Sequence, residues 1–488
     1  MQSRRIGVIG AGFSGLYAAC ALAKEGHEVE VFEKNSMSGG RSQTFEAEGF
    51  LFDMGPSWYW MPDLIDDLFS HLGENREDYY KTERLETAYQ VFWKNHSPSK
   101  IPADKKKLKE LFDGFEENGG QKLEKFLHDA GVKYEVAKPL LEKPGKSLSE
   151  LMTWDVIKNG LKLDVFKSVE KDVGRRFSSD QARGILNFPV LFLGAMPSDI
   201  PSLYTLMNFA DLELGTWYPE GGMHAIGKAL EAIARKYGVK FHFNKPVEAI
   251  LEKDGVANGL RANGEDHAFD YVVSGADYHF TEQKLLPKKY RRYDDKYWDS
   301  RKMAPSSLLF YVGLDSEVPN LEHHNLFFDE DLTDHGNEIY KTPKWPEKPL
   351  FYVCTPSKTD KKVAPEGCEN MFILIPIAPD LDDNEETREK YFEIIRARIE
   401  QHTGVNIAPH IVYKRSFCVN DFKTEYNSFK GNAYGLANTI KQTANLKPKM
   451  HSKLKNLYFC GQLTVPGPGI PPALISGKIA ANQILNKS

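Results

Sequence analysis

Apolar and polar positions along this chain keep two different periods, and the switches between them outline the elements. Residues 5–9 form a short apolar run, 16–25 carry small and apolar residues on one helical side, and 28–32 alternate with Glu28 and Glu30 between valines. This order predicts a strand, a helix and a second strand. Residues 42–52 alternate Phe45, Phe50 and Phe52 with Glu46 and Glu48 and read as a hairpin. An amphipathic helix is expected at 63–72, then strands around Tyr79 and at 89–93. From 104 to about 185 the pattern turns helical, as in 106–112, 122–127 and 161–169. A helix at 224–237 precedes strands at 240–243, 249–253, 259–262 and 271–275, with Asn263-Gly264 as a turn. Further strands are expected at 307–312, 371–377 and 456–460, and helices at 385–401 and 473–485.

Between the first strand and helix lies Gly10-Ala11-Gly12-Phe13-Ser14-Gly15, a G-x-G-x-x-G turn. Gly10 permits the tight turn, Gly12 lets backbone approach a pyrophosphate, and Gly15 lets the helix lie close on the strand. Phe13 and Ser14 lie within this turn, and the helix that follows offers N–H groups and a positive dipole end at its N-terminus. Glu33 ends the second strand 18 residues beyond Gly15. A carboxylate there accepts ribose hydroxyls and repels a 2′-phosphate, which favours FAD or NAD over NADP; Lys34 argues the other way. Gly39-Gly40-Arg41 follows, with glycines for close backbone approach and an arginine for phosphate.

The C-terminal end carries a comparable pattern. Gly461-Gln462 closes the 456–460 strand, and a loop of two glycines and four prolines, 464–472, leads into a helix rich in small residues. Gly469, Ile470 and Pro471 stand at that helix N-terminus, where a proline sacrifices no hydrogen bond. Gly55, Pro56 and Ser57 belong to an aromatic loop, 53–62, that can wall a flavin or an apolar ligand or form an aromatic core corner.

Composition narrows the class. The 488 residues, 41% hydrophobic, allow two or three domains, and a net charge of −5 excludes a nucleic-acid footprint. Five scattered cysteines imply neither a disulfide framework nor a metal site, and no catalytic residue is named. His224 and the His323-His324 pair are expected to be structural or exposed. The first strand begins within five residues, which leads us to expect no signal peptide, and no apolar run approaches a spanning helix. The basic amphipathic stretch at 161–169, continued by Lys171, Arg175 and Arg176, can be a membrane-surface element or an ordinary solvated face. For the apolar segment 188–197 a core helix is the simpler account.

GlyGlyArg after the ribose acid resembles the flavoproteins that include amine oxidases, protoporphyrinogen oxidase and carotenoid desaturases. Residues 49–57, 188–195, 215–223, 431–438 and above all 456–478 resemble bacterial-type phytoene desaturases, those of flavobacterial-type pathways more than plant-type enzymes. Gln462 departs from the acid that many of these flavoproteins carry there. The resemblance implies FAD as cofactor and Val247 against the adenine. It implies an α/β fold: a discontinuous Rossmann-type FAD-binding domain (1–95, 215–300, 441–488), an α+β substrate domain (301–440), and a helical, membrane-associating part (96–214). The implied reaction is stepwise desaturation of phytoene towards lycopene, with quinone or oxygen as acceptor, in a cytoplasmic protein peripheral on the inner face of the cell membrane. Alternatives on this scaffold are a hydroxycarotenoid 3,4-desaturase, a carotenoid isomerase or oxidase, an amine oxidase, and a non-enzymatic prenyl or lipid carrier.

Overall fold

The computed structural model describes residues 2–145, 167–439 and 441–486. Two sheets organise it. The first has five parallel strands in the order Leu457–Phe459, Tyr271–Ser274, Arg5–Ile9, Glu28–Phe32, Lys240–His242. Both faces of such a sheet must be covered, which explains the near-continuous apolar runs. On one face Ile6, Val8, Val29, Val31 and Val273 pack with the helices Phe13–Lys24, His224–Lys236 and Ile470–Leu485. On the other, Ile9, Phe32, Val272 and Phe459 share a core with Val247, Ile250 and Leu260 of a three-stranded antiparallel sheet. That smaller sheet comprises Val247–Lys253, Val256–Ala262 and Glu265–Ala268.

The second large sheet has seven strands, in the order Ile411–Phe417, Ser306–Leu314, Glu369–Ile377, Phe351–Cys354, His324–Phe328, Thr87–Trp93, Ser99–Pro102. Its two faces part by strict alternation. Leu308, Phe310, Val312, Met371, Ile373 and Ile375 turn to a core shared with Phe392, Ile395 and Ile399 of the Glu385–Thr403 helix. Ser307, Leu309, Phe372, Leu374, Leu326 and Phe328 turn the other way and line a cavity. The helix is bounded by chemistry legible in the chain: Asn384 Oδ1 accepts from Thr387 N at 2.9 Å, and Gly404 ends it at φ +75°.

Several expectations need adjustment. The first helix begins at Phe13 rather than 16, because the turn glycines already have the geometry of its cap. No strand forms at Tyr79; Thr82–Arg84 pairs instead with Trp217–Pro219. Thr87–Trp93, grouped by the sequence reading with the first segment, pairs with His324–Phe328 in the second sheet. The apolar segment 188–197 is not a core α-helix: Phe188–Leu193 is a 3₁₀ turn, closed by Gly194 at φ +72°, with Pro189 at its start. Most of the 161–169 stretch lies outside the described residues. Its continuation, Val169–Arg176, turns Arg176 inward to the buried Asp172 (3.3 Å) and to Asp129 (2.7 Å). No described helix is long and apolar enough to cross a membrane.

Asp211 is buried behind the aromatic loop, accepting from Tyr89 Oη at 3.0 Å and Thr216 Oγ1 at 3.4 Å. Burial pushes its carboxyl up to about 7, against the pull of these two hydroxyls. A raised acid favours the folded state only while protonated. Its contribution is complete below about pH 4 and is lost as pH rises through about 7. The melting temperature of Asp211→Asn relative to the parent should therefore rise across that window, checked by thermal unfolding at a series of pH values.

Candidate active site

Gly10, at φ +89°, turns the chain from the first strand into a helix whose N-cap, Gly12, supplies no side-chain cap. A Cβ on Gly15 would lie 2.1 Å from the Gly10 carbonyl oxygen, so only glycine lets helix and strand approach this closely. At Gly12 a Cβ would meet nothing nearer than Gly40 Cα at 4.0 Å. The uncapped N–H groups of the helix thus face open space, a ready anion site.

Glu33 is 5% exposed. Its Oε2 accepts from Ala11 N at 2.7 Å and its Oε1 from Asn35 N at 2.9 Å, which fixes the carboxylate beside the glycine turn. Burial raises its pKa above the ordinary carboxylate value, while those N–H groups and Lys34 pull it down. Lys34 lines the same space, but its ammonium donates to the Thr424 carbonyl at 2.6 Å and is not presented to a 2′-phosphate.

Arg41 is the cation of the site. Its Nη2 donates to Ser428 Oγ at 3.0 Å and its guanidinium lies 5.2 Å from the Tyr426 ring centre, while the buried Nε has no partner. Burial lowers its pKa, and Asp277 opposes that. Asp277 in turn is pushed up to about 6 by burial, held back by N–H donors from Phe280 and Phe429 and by Arg41. The Gln462 amide fits best with its oxygen accepting from Arg41 Nη2 at 2.9 Å and its nitrogen donating to Ala433 O at 3.3 Å. The residue that replaces the expected acid therefore anchors the arginine.

At the other chain end, Gly461 at φ +106° closes its strand and donates its N–H to Ser476 Oγ at 3.0 Å. Gly469 caps the Ile470–Leu485 helix, again without a side chain. A Cβ on Gly477 of that helix would lie 2.2 Å from Ser14 O, so the two chain ends pack backbone to backbone.

These parts bound one continuous cavity of about 480 Å³. Gly10, Gly12, Phe13, Ser14, Glu33, Lys34, Gly40, Arg41, Gly55, Pro56, Ser57, Val247, Gly461, Gln462, Gly469 and Ile470 all line it. Gly15 and Pro471 do not; they shape the helix starts behind the wall. Polar groups gather at this end. Towards the second sheet the lining turns apolar and aromatic, with Trp58, Phe188, Leu191, Phe192, Leu326 and Leu374.

The aromatic loop divides its residues. Trp58 faces the cavity and stacks on His324 at 4.1 Å, whereas Tyr59 turns to Tyr80 and Trp60 packs on Phe192. The loop is pinned from the second sheet: Tyr311 Oη donates to Met54 O at 2.8 Å and Tyr352 Oη to Ser57 Oγ at 3.1 Å. His224 and the His323-His324 pair are all buried. His224 Nδ1 lies 2.8 Å from Ser42 O, which ties the Gly39–Arg41 turn to a helix start. His335, at the far end of the cavity, accepts from Leu350 N at 3.0 Å through Nδ1 and donates to Pro376 O at 2.8 Å through Nε2. With both nitrogens used and burial lowering its pKa to about 4, it is a neutral structural group. Cys460 lines the cavity with its Sγ 3.5 Å from Ser274 O, and burial pushes its thiol up to about 12.

Sequence reading alone missed Asp277, Ser428 and Tyr426, which neutralise and hold Arg41 from segments 236, 387 and 385 residues away. It also missed the far wall from Leu326, Tyr352 and Leu374. The signal for the wall was present, since every second residue of 307–312 and 371–377 faces it.

A sequence profile of the family "Flavin containing amine oxidoreductase" matches residues 13–485. The chain belongs to that family. Among relatives, this flavin-containing amine oxidoreductase is 38% identical to a carotenoid 3,4-desaturase of Haloarcula japonica, with 99% of each chain covered. It is 31% identical to a zeta-carotene-forming phytoene desaturase of Myxococcus xanthus, over 99% of this chain and 94% of that one. Among solved structures, putrescine oxidase bound to putrescine superposes with a TM-score of 0.63 at 15% identity, covering 99% of each chain; this likeness concerns the fold.

The cofactor of this oxidoreductase is FAD. The cavity suits it on its own evidence: an unpartnered buried Arg41 Nε, two uncapped helix N-termini and the open face at Gly12. Gly15→Ala should yield protein without the visible flavin absorbance, because the first helix cannot keep its distance from the strand. Arg41→Ala should weaken flavin binding about 10- to 100-fold, the loss of a charge-assisted hydrogen bond. Flavin titration of both variants measures this.

Proposed function

We propose that the protein is an FAD-dependent carotenoid desaturase that removes hydrogen across CH–CH bonds of a long hydrophobic polyene. The single observation that carries this reading is the continuity of one cavity from a polar, cationic cofactor end to an apolar, aromatic far end. A small amine would require charge recognition at that far end. Among the described residues its lining there is mostly apolar or aromatic, with Ser307 and tyrosine hydroxyls as its polar groups and no charged side chain, and its histidine is neutral and fully bonded within the protein.

Bound FAD supplies two-electron oxidation of the substrate carbon chain. The chain's own residues have separable tasks in this reading. Gly10, Gly12, Phe13, Ser14 and Arg41 receive the pyrophosphate, Glu33 the ribose and Val247 the adenine. The uncapped start of the Ile470–Leu485 helix would offer N–H groups to negative charge on a bound flavin. Gly55, Pro56, Ser57 and Trp58 form the wall at which the substrate end is positioned, and the aromatic lining excludes water. Segments 2–86, 215–300 and 441–486 build the FAD-binding unit, and Thr87–Trp93 belongs with the substrate-binding sheet beside it. Substrate solubility places the working protein at a membrane surface, as a peripheral protein on the cytoplasmic side, with a membrane quinone or oxygen as acceptor.

A later desaturation step has its own support, since the carotenoid 3,4-desaturase shows 38% identity against 31% for the phytoene desaturase. Incubation with phytoene in liposomes, in air and then anaerobically with a quinone, discriminates the readings. Visible bands growing from a lengthening conjugated chain establish phytoene as substrate, and the acceptor dependence identifies the oxidant. Flavin-loaded protein that leaves phytoene unchanged but extends a hydroxylated carotenoid establishes the later step. Protein that binds no flavin sinks the enzyme reading in favour of a lipid carrier.

Leu374 is half-buried only because it faces the cavity from a central strand. Leu374→Trp should keep its flavin spectrum and lose about 5- to 150-fold in polyene turnover, an overpacking cost of about 1–3 kcal/mol taken by the substrate. Equal turnover with intact flavin would move the substrate path elsewhere.

A further inference from the structure

Behind the Trp58 wall lies a second cluster that the desaturase chemistry does not use. His324 and Cys354 are cross-strand partners in an antiparallel pair, so their side chains share a face, and His323 directly precedes that strand. One ring nitrogen from each histidine and the Cys354 Sγ lie within 4.8 Å of one another. The three side chains are 4%, 0% and 2% exposed.

Their hydrogen bonding is one-sided. His323 Nδ1 lies 2.7 Å from Thr359 Oγ1 and His324 Nδ1 2.6 Å from Tyr352 Oη, yet neither buried Nε2 has a partner. With the Tyr352 hydrogen directed at Ser57 Oγ, the tautomer of His324 protonated at Nδ1 leaves a lone pair on Nε2. Leaving two imidazole nitrogens buried and unpaired is costly unless something occupies them. Imidazoles oriented by a hydrogen bond at the other nitrogen are the usual arrangement of metal ligands. A cavity of about 20 Å³, enough for one small ion or water, adjoins His323 and Cys354 and is closed by Tyr218, Met223 and Asp53.

We propose that His323, His324 and Cys354 form a binding site for one thiophilic d¹⁰ metal ion, of the Zn²⁺ or Cu⁺ class. Two imidazoles and a thiolate are a soft donor set. With Cu⁺ the site is electrically neutral and complete at three ligands. Zn²⁺ takes a fourth ligand from the adjoining cavity. Binding transfers the Cys354 thiol proton to solvent, one per ion. The ion clamps the ring on which Trp58 stacks, and so stiffens the wall of the main cavity from behind.

The test uses the full-length protein with FAD, stripped by a chelator and titrated anaerobically with Co²⁺, Zn²⁺ or Cu⁺ separately. Co²⁺ should bind at about one equivalent with a near-ultraviolet thiolate charge-transfer band, release one proton, and be displaced by Zn²⁺ or Cu⁺. Whichever ion displaces it at lower concentration is the one the site selects. Cys354→Ser should lose the band while retaining flavin, and Cys368→Ser, the half-exposed thiol, should keep it. Thr359→Val, which only frees His323, should weaken binding about 10- to 100-fold and serves should Cys354→Ser fail to fold. Absence of a band in the parent protein overturns the proposal. So does a band that survives Cys354→Ser, or an affinity that Thr359→Val leaves unchanged.

Discussion

The cofactor cradle depends on one steric constraint, the backbone contact between the first helix and the last. Gly15 sits on the Gly10 carbonyl and Gly477 on the Ser14 carbonyl, each at a distance that a single methyl group would violate. The second of these contacts brings together chain ends separated by more than four hundred residues. Together the two contacts aim both helix N-termini into one cavity. The positive ends of two dipoles then face the same ligand, and Arg41 adds the only full charge whose Nε is left for it among the cavity-lining residues described.

Charge in this molecule is confined by what it costs to bury. Glu33 is buried and Arg41 and Asp277 are partly buried along the cavity, and desolvation shifts the protonation equilibrium of each. They are tolerated because N–H groups and opposite charges reach them from distant segments. Farther along the cavity no charged side chain lines it among the described residues, and the chain places Trp58, Phe192, Leu326 and Leu374 there. The cavity changes from an anion receptor into a hydrocarbon channel over the width of one aromatic loop.

That loop is where the two sheets meet. Tyr311 and Tyr352 reach from the second sheet to Met54 and Ser57, while Asp53 accepts the N–H groups of Met223 and His224 at the start of a helix of the first. Asp53 is pushed up to about 7 by burial, against those two donors. The flavin-side wall is therefore held by hydrogen bonds from both layers, and the His323, His324 and Cys354 cluster lies immediately behind it.

The chain by itself determined the parts whose physics is local. Glycine spacing after a strand announced an anion site, alternation announced two-faced strands, and the Pro-Gly loop before a small-residue helix announced the second dipole. The resemblance to carotenoid desaturases rested on those same motifs, and the family match and relatives agree with it. Only tertiary structure decided what depends on residues far apart. It sent Thr87–Trp93 to the second sheet, because a strand is placed by its pairing partner rather than its own pattern. It unwound 188–193 into a 3₁₀ turn, where Pro189 and Gly194 outweigh apolar content. It assigned Gln462 to Arg41, turned Lys34 away to Thr424, and drew two histidines and a cysteine of unremarkable spacing into one buried cluster, since burial and convergence are properties of a packed fold and not of any local run of residues.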